Sequence, residues 1–156
     1  MTDTRPPASL DQIVARTEIS DLLYTYSYHL DMNHPERLLE LFVEDCEVVY
    51  APNFGARGKV AYAATLQGIG TYFKATSHHV SNVVVTFDGP DRASVRSVLY
   101  AMHRYQRERP DGIFWGQYHD EIVRENGRWL FKRRELRATA VENFHVKESL
   151  PIGRRV

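Results

Sequence analysis

From Leu10 onward the apolar residues recur at helical spacing: Leu10, Ile13, Ile19, Leu22, Leu23, Tyr26 and Leu30. Ser9 followed by Gln12 has the form of a capping box. The pattern predicts one long amphipathic helix to about Asp31, broken by Asn33-His34-Pro35. Pro35 suits the first position of a second, short helix over Glu36 to Phe42. Asp45 to Ala51 favours a strand, turned by Pro52-Asn-Phe-Gly55, and Lys59 to Lys74 reads as a third helix weakened by Gly68 and Gly70. Strands follow at His79–Phe87, Ala93–Arg107, Ile113–Arg124 and Arg128–Ala140. They are separated by Asp88-Gly-Pro-Asp91, Arg109-Pro-Asp-Gly112 and the tight Glu125-Asn-Gly127. Residues 1–8 read as a loose tail, 9–145 as one domain, and 146–156 as a second tail without a clear period.

Helices first and an antiparallel meander afterwards give an α+β protein rather than an alternating α/β one. The expected architecture is a cone-like α+β barrel. Its N-terminal helices pack on a strongly curved, mostly antiparallel sheet, and a pocket lies between the two layers.

Composition narrows the function. A chain of 156 residues is long enough for one core and one internal pocket. Twenty basic residues balance twenty acidic ones, so no global field draws the chain to nucleic acid or an anionic membrane. No apolar run reaches the roughly 18–20 residues that cross a bilayer, and the N-terminus lacks a secretory pattern, so a cytoplasmic location is expected. The one cysteine, Cys46, excludes an internal disulfide and a cysteine zinc site; it reads as a small buried hydrophobe. Strand Ala93–Arg107 carries Val98, Leu99, Tyr100, Ala101 and Met102 in succession, so both of its faces look buried, and a homo-oligomer is expected.

The chemistry centres on Asp31 and on Thr76-Ser-His78-His79. A carboxylate at a helix end and an imidazole at a strand start can pair as a dyad. Tyr26, Ser27, Leu30 and Asp31 occupy one broad sector of the helix end, able to line a cavity together. The competing reading places Asp31 in solvent beside His34 or on the following turn. His78 and His79 point to opposite faces of their strand, and alternation does not choose between them. His29, His34, His103, His119 and His145 show no metal-ligand spacing, and no phosphate-binding glycine loop or serine elbow is present, so neither metal nor nucleotide cofactor is expected. Arg133, Arg134 and Arg137 lie on the last strand. Arg134 and Leu136 share a face there, opposite Trp129, Phe131, Arg133 and Arg137 unless a bulge intervenes.

Two runs carry a resemblance. Ile13…Ile19-x-x-Leu22-x-x-x-Tyr26-x-x-x-x-Asp31 followed by Leu38-x-x-Leu41-Phe42-x-x-Asp45 is the first. Tyr118-x-Asp120-Glu121 followed by Gly127-x-Trp129-x-Phe131-x-x-Arg134 is the second. Together they resemble SnoaL-like proteins of the nuclear-transport-factor-2-like superfamily over about residues 10–145. Thr76-x-His78-x-x-x-Asn82-x-x-x-x-Phe87 is similar to the histidine strand of the hexachlorocyclohexane dehydrochlorinases, and the Tyr26–Asp31 spacing is similar to that of bile-acid 7α-dehydratases; scytalone dehydratases use the same residue types. The resemblance implies a cofactor-independent lyase of dehydratase type, or an isomerase, acting on a small, hydrophobic, cyclic substrate. It selects His78 over His79 as base, with Asp31 orienting it, Tyr26 as acid and Arg134 stabilising the developing anion. Ser27, Leu30, Tyr50 and Tyr118 are the expected substrate-binding residues. Tyr26 stands where the dehydrochlorinases have a lysine, which turns the expectation from dehydrochlorination to dehydration. The same resemblance favours a trimer, then a dimer. A non-catalytic ligand binder and the small structural subunit of an aromatic-ring-hydroxylating dioxygenase share this fold and remain as alternatives.

Overall fold

The computed structural model describes residues 8–153. Three helices precede most of the sheet: α1 (Leu10–Asp31), α2 (Pro35–Leu39) and α3 (Lys59–Tyr72). The strands are β1 (Phe42–Ala51), β2 (Phe54–Arg57), β3 (Phe73–Phe87), β4 (Arg92–Tyr105), β5 (Gly112–Glu125), β6 (Arg128–Glu142) and β7 (Leu150–Pro151). They form one sheet in the order β2-β1-β6-β5-β4-β3, with β7 beside β6. Pairing is antiparallel except for β1–β6 and β6–β7. The architecture is α+β, with the helices packed on a curled, unclosed, mostly antiparallel sheet.

The capping box is present. Ser9 Oγ accepts from the Gln12 N–H at 3.2 Å, while the Gln12 side chain accepts from the Ser9 N–H at 3.3 Å. The face of α1 holding Ile19, Leu23 and Tyr26 is fully buried against the sheet. α2 is shorter than expected. It stops at Leu39, and Phe42 and Val43 open β1 three residues before the predicted start at Asp45. Phe42 pairs with Phe131 and is fully buried, which a strand position supplies and a helix end does not. The expected turn at Pro52–Gly55 is the tip of a hairpin that returns as β2. Gly55 sits so close to the β1 backbone that a Cβ there would lie 2.1 Å from the Val48 carbonyl oxygen.

α3 keeps helical form through both glycines. Gly70 lets it press on the turn after α1: a Cβ there would lie 2.4 Å from Asn33 Oδ1. β3 begins at Phe73, six residues earlier than expected, and two irregularities set its faces. Register shifts by one residue between Phe73 and Ala75 and again between Ser81 and Val84, where Asn82 has φ 48°. Thr76, His78 and Val80 therefore turn inward before the bulge, and Val83, Val85 and Phe87 after it; their burial follows that alternation. A third shift, opposite Glu121/Ile122, makes Lys132 the extra residue on β6. Trp129, Phe131, Arg134 and Leu136 are all buried in consequence.

The C-terminal segment is more than a tail. Arg137 Nη1 donates to the Pro151 carbonyl at 3.1 Å, and the Tyr105 hydroxyl and Arg109 Nη2 both donate to the Asn143 carbonyl, at 3.0 and 2.9 Å. These bonds hold the strap 143–149 across one end of the sheet. The expected N-terminal tail, save residue 8, and the last three residues lie outside the described residues. No helix among the described residues is long and apolar enough to cross a membrane.

Candidate active site

The last turn of α1 ends over the first half of β3, and Asp31 is its final residue. The carboxylate takes three hydrogen bonds. Oδ1 accepts from Thr76 Oγ1 at 2.8 Å and from His78 Nδ1 at 2.6 Å; Oδ2 accepts from the His78 backbone N–H at 2.8 Å. Burial opposes ionisation of Asp31, but the bonds from His78 and Thr76 outweigh it and hold the carboxyl below its ordinary range. A carboxylate has no proton to give, so His78 Nδ1 carries the hydrogen, and Nε2 is the basic nitrogen. The His78 side chain is 6 % exposed and that of Asp31 24 %, so the imidazole is the deeper of the two. His79 is exposed, with its Nε2 on Ser77 Oγ at 3.1 Å.

Two cavities meet at this dyad. One is walled by His78, Tyr50, Tyr118, His103, Leu99 and Leu136, and roofed by Phe144, His145 and Val146 of the C-terminal strap. Its volume is about 60 Å³. The other, about 240 Å³, lies on the far side of Asp31 among His29, Asn33, His34, Lys74 and Gln106. Leu30, Ile69, Phe73 and Thr76 belong to both walls. His78 lines the first of these cavities and Asp31 the second.

Of the other residues expected in the site, Leu30, Tyr50 and Tyr118 line the apolar cavity. Ser27 does not: it is buried, and its hydroxyl donates to the Leu23 carbonyl one turn back at 3.3 Å. Tyr26 is fully buried behind the wall. Its hydroxyl is 3.1 Å from that of Tyr50 and 3.3 Å from that of Tyr62. Of the hydrogen-bonded pair Tyr26 and Tyr50, it is Tyr50 that reaches the cavity, with Tyr26 standing behind it.

Arg134 is also deeper than a pocket arginine. Its side chain and that of Asp120 are both 0 % exposed, joined by Nε–Oδ1 and Nη2–Oδ2 bonds of 3.0 Å each. The guanidinium lies 3.8 Å from the Tyr118 ring centroid, 4.0 Å from that of Tyr26 and 4.2 Å from that of Phe131. Burial works against its charge, and Asp120 together with the Tyr118 and Tyr26 phenols more than offsets this and keeps it cationic. The Lys132 bulge turns Arg134 inward, onto the face of Trp129 and Phe131, but it arrives beneath Tyr118, where it braces the aromatic wall. Arg137 points elsewhere, to Glu135 and to Pro151 of β7.

His103 escaped sequence reasoning. It sits on the inner face of β4, in step with Leu99, Ala101 and Tyr105, and its ring packs edge-on against His78 at 5.2 Å. Burial, with His78 and His145 nearby, lowers its pKa to about 3, so it is neutral at ordinary pH. His145 in the roof is lowered to about 4 by burial and Arg109. The strict alternation of β4 was the available signal for His103; nothing in the tail pointed to His145. Cys46 is buried in β1, and burial raises its thiol pKa, in keeping with a packing role.

Comparison with known proteins agrees with this fold. A solved structure from Novosphingobium aromaticivorans DSM 12444, named "Putative Scytalone Dehydratase", is 56% identical; the match covers 94% of this chain and 98% of that one, with a TM-score of 0.90. A hexachlorocyclohexane dehydrochlorinase, type 2, shares the fold at 17% identity, covering 94% and 100% of the two chains with a TM-score of 0.81. An uncharacterized protein of Mycobacterium tuberculosis (strain ATCC 25618 / H37Rv) is 29% identical over 134 residues, 83% of this chain and 89% of its own. The family model for the SnoaL-like domain matches residues 11–135, so the chain belongs to the SnoaL-like family.

Proposed function

We propose that this protein is a cofactor-independent lyase of dehydratase type, or an isomerase, acting on a small hydrophobic cyclic ketone. The observation that carries the reading is the set of three hydrogen bonds fixing the Asp31 carboxylate on Thr76 and His78. They hold an imidazole with one free, basic nitrogen at the wall of an apolar cavity. An imidazole held in that position suits removal of a proton from carbon.

In the dehydration, His78 Nε2 takes the proton from the carbon beside the carbonyl. The electron pair passes into the carbonyl as an enolate, and Asp31 stabilises the imidazolium. The β carbon–oxygen bond then breaks, the electron pair returns to form the carbon–carbon double bond, and the hydroxide leaves as water with a proton from the imidazolium. Tyr50 is the phenol placed to hydrogen-bond the oxygen that carries charge. In an isomerisation the same proton returns to a different carbon. The solved relative named for scytalone dehydratase supports the dehydratase branch and makes scytalone the first compound to try. A plain ligand binder, or the structural subunit of a ring-hydroxylating oxygenase, does not require the three bonds on Asp31.

The test is proton NMR in D2O with scytalone and simpler cyclic β-hydroxy ketones. Enzyme-dependent loss of water, or deuterium entry beside the carbonyl, is expected with the wild type and not with His78→Ala. Equal rates in both proteins would remove the dyad from the mechanism.

A further inference from the structure

Three tyrosine hydroxyls close a ring at the cavity wall. Tyr26 comes from α1, Tyr50 from β1 and Tyr62 from α3. Their oxygens are 3.1 Å apart for Tyr26–Tyr50, 3.3 Å for Tyr26–Tyr62 and 2.9 Å for Tyr50–Tyr62. Of the three, Tyr50 alone lines the cavity; Tyr26 and Tyr62 are fully buried. Each phenol has one proton to give, and its oxygen can accept. A closed ring of three links uses all three protons within itself. In that arrangement Tyr50 has no proton to offer a ligand.

An oxygen arriving in the cavity changes the count. If Tyr50 turns its proton to the ligand, its own oxygen is free to accept from both Tyr26 and Tyr62. Two donors then converge on the oxygen that is giving its proton away. The more negative the ligand oxygen, the more charge moves onto Tyr50, and the more the two donors behind it contribute. A neutral carbonyl draws little on this arrangement, and an anionic oxygen draws heavily.

We propose that Tyr62, together with Tyr26, is a positioning residue whose hydroxyl donates to Tyr50 and makes Tyr50 a selective donor to anionic oxygen, the enolate or phenolate class. The inference rests on the proposed function for its mechanistic meaning, since an enolate oxygen forms when His78 removes a proton beside a carbonyl. The geometry stands without it. The Tyr62 ring packs on Phe42 at 4.9 Å, a contact that phenylalanine would also make, so its hydroxyl is the part that packing does not explain. The groups facing the ring from the other elements are Tyr118 on β5 and Arg134 on β6, the latter 4.0 Å from the Tyr26 ring centroid and neutralised by Asp120. Burial keeps the Tyr50 and Tyr62 phenols well above their ordinary pKa, so both remain protonated and able to donate.

The probe is 4-nitrophenol, whose phenol and phenolate forms absorb at different wavelengths. Its binding is titrated across its own ionisation with wild type, Tyr62→Phe, Tyr26→Phe and Tyr50→Phe. Each is repeated in a His78→Gln background, so that an imidazolium is not the source of any preference. Wild type is expected to bind phenolate over phenol. Tyr62→Phe should weaken phenolate binding by about 5- to 10-fold, the worth of one ordinary hydrogen bond, and leave phenol binding unchanged. Tyr26→Phe should act alike and serves in its place if Tyr62→Phe does not fold. Tyr50→Phe should abolish the preference. The proposal is overturned if wild type shows no preference or no binding, or if Tyr62→Phe leaves both forms unchanged or weakens both equally, as a purely structural role would. No turnover enters this assay, so it can fail while the dyad stands, and the dyad can fail while the phenolate preference stands.

Discussion

Asp31 holds His78 with both of its carboxylate oxygens, one on the ring Nδ1 at 2.6 Å and one on the backbone N–H at 2.8 Å. The side-chain bond orients the imidazole. The backbone bond ties the end of α1 to β3, so the base and its partner move as one piece. Asp31→Asn keeps the shape and removes the charge. Its amide has one acceptor oxygen for the three donors now served by two, and its NH2 faces a ring that no longer has a fixed tautomer. Turnover should fall by about 10^4, as loss of the orienting carboxylate does in triad enzymes, while the circular-dichroism spectrum stays that of the wild type. A fall of less than about tenfold would show that the carboxylate does not orient the base.

Arg134 and Asp120 form a pair with no exposed surface. Removing one partner strands the other charge among aromatic rings. Arg134→Met should therefore cost about 3–5 kcal/mol in urea unfolding, and Arg134→Met with Asp120→Leu should recover most of it. Because Arg134 braces Tyr118 and Tyr26 from behind the wall, the double variant should also keep the ability to bind 4-nitrophenol. Loss of binding in a stable double variant would place the guanidinium in the cavity instead.

Asp31 had a local signal, the end of a helix stopped by Asn33-His34-Pro35, whereas His78 lies inside β3 rather than at its start and was chosen over His79 by the resemblance alone. The faces beyond them were harder. His78 shares its inward face with Val83 and Val85 through a bulge at Asn82, a residue type that accepts positive φ yet also occurs in ordinary strands. The bulge at Lys132 has no glycine or proline to mark it, so the direction of Arg134 was open until the register was seen. Nor could spacing tell how far in Arg134 stops, because depth depends on the rings of Tyr26, Tyr118 and Phe131, which come from three elements. The ring of Tyr26, Tyr50 and Tyr62 is tertiary in the same sense. Three residues 12 to 36 positions apart have no common period.

His103 gives the fold a dependence on acid. Burial depresses its pKa from 6.5 to about 3, so the unfolded chain binds this proton first as pH falls. The contribution of a neutral His103 is whole above pH 6.5 and is lost progressively toward pH 3, with a slope of at most about 1.4 kcal/mol per pH unit. Asp31, also depressed, adds to the loss at lower pH: its contribution is present above the unfolded value of 3.8 and disappears as pH falls through the folded one. Urea midpoints should drop between pH 6.5 and 4.5, and His103→Gln should flatten that drop. Parallel curves for the two proteins would assign the acid sensitivity to other groups.

The outer face of the sheet bears on assembly. β4 alternates cleanly, so Leu99 and Ala101 face the core while Val98, Tyr100 and Met102 face out. Tyr100 pairs across the sheet with Trp115, their ring centroids 5.8 Å apart, and each is 39% exposed in the single chain. Two large aromatics side by side on an open sheet form the kind of apolar surface that soluble proteins usually cover. We propose that further copies of this chain cover it, in a trimer first and a dimer next. Light scattering on the purified protein should then give a multiple of the 18.1 kDa chain, and Tyr100→Glu with Trp115→Arg should shift it toward the monomer without unfolding it. Both residues point away from the cavity, so 4-nitrophenol binding in the monomeric variant should match the wild type if each chain holds a complete site. A wild type that is monomeric at micromolar concentration, or an assembly indifferent to both substitutions, would take this face out of the interface.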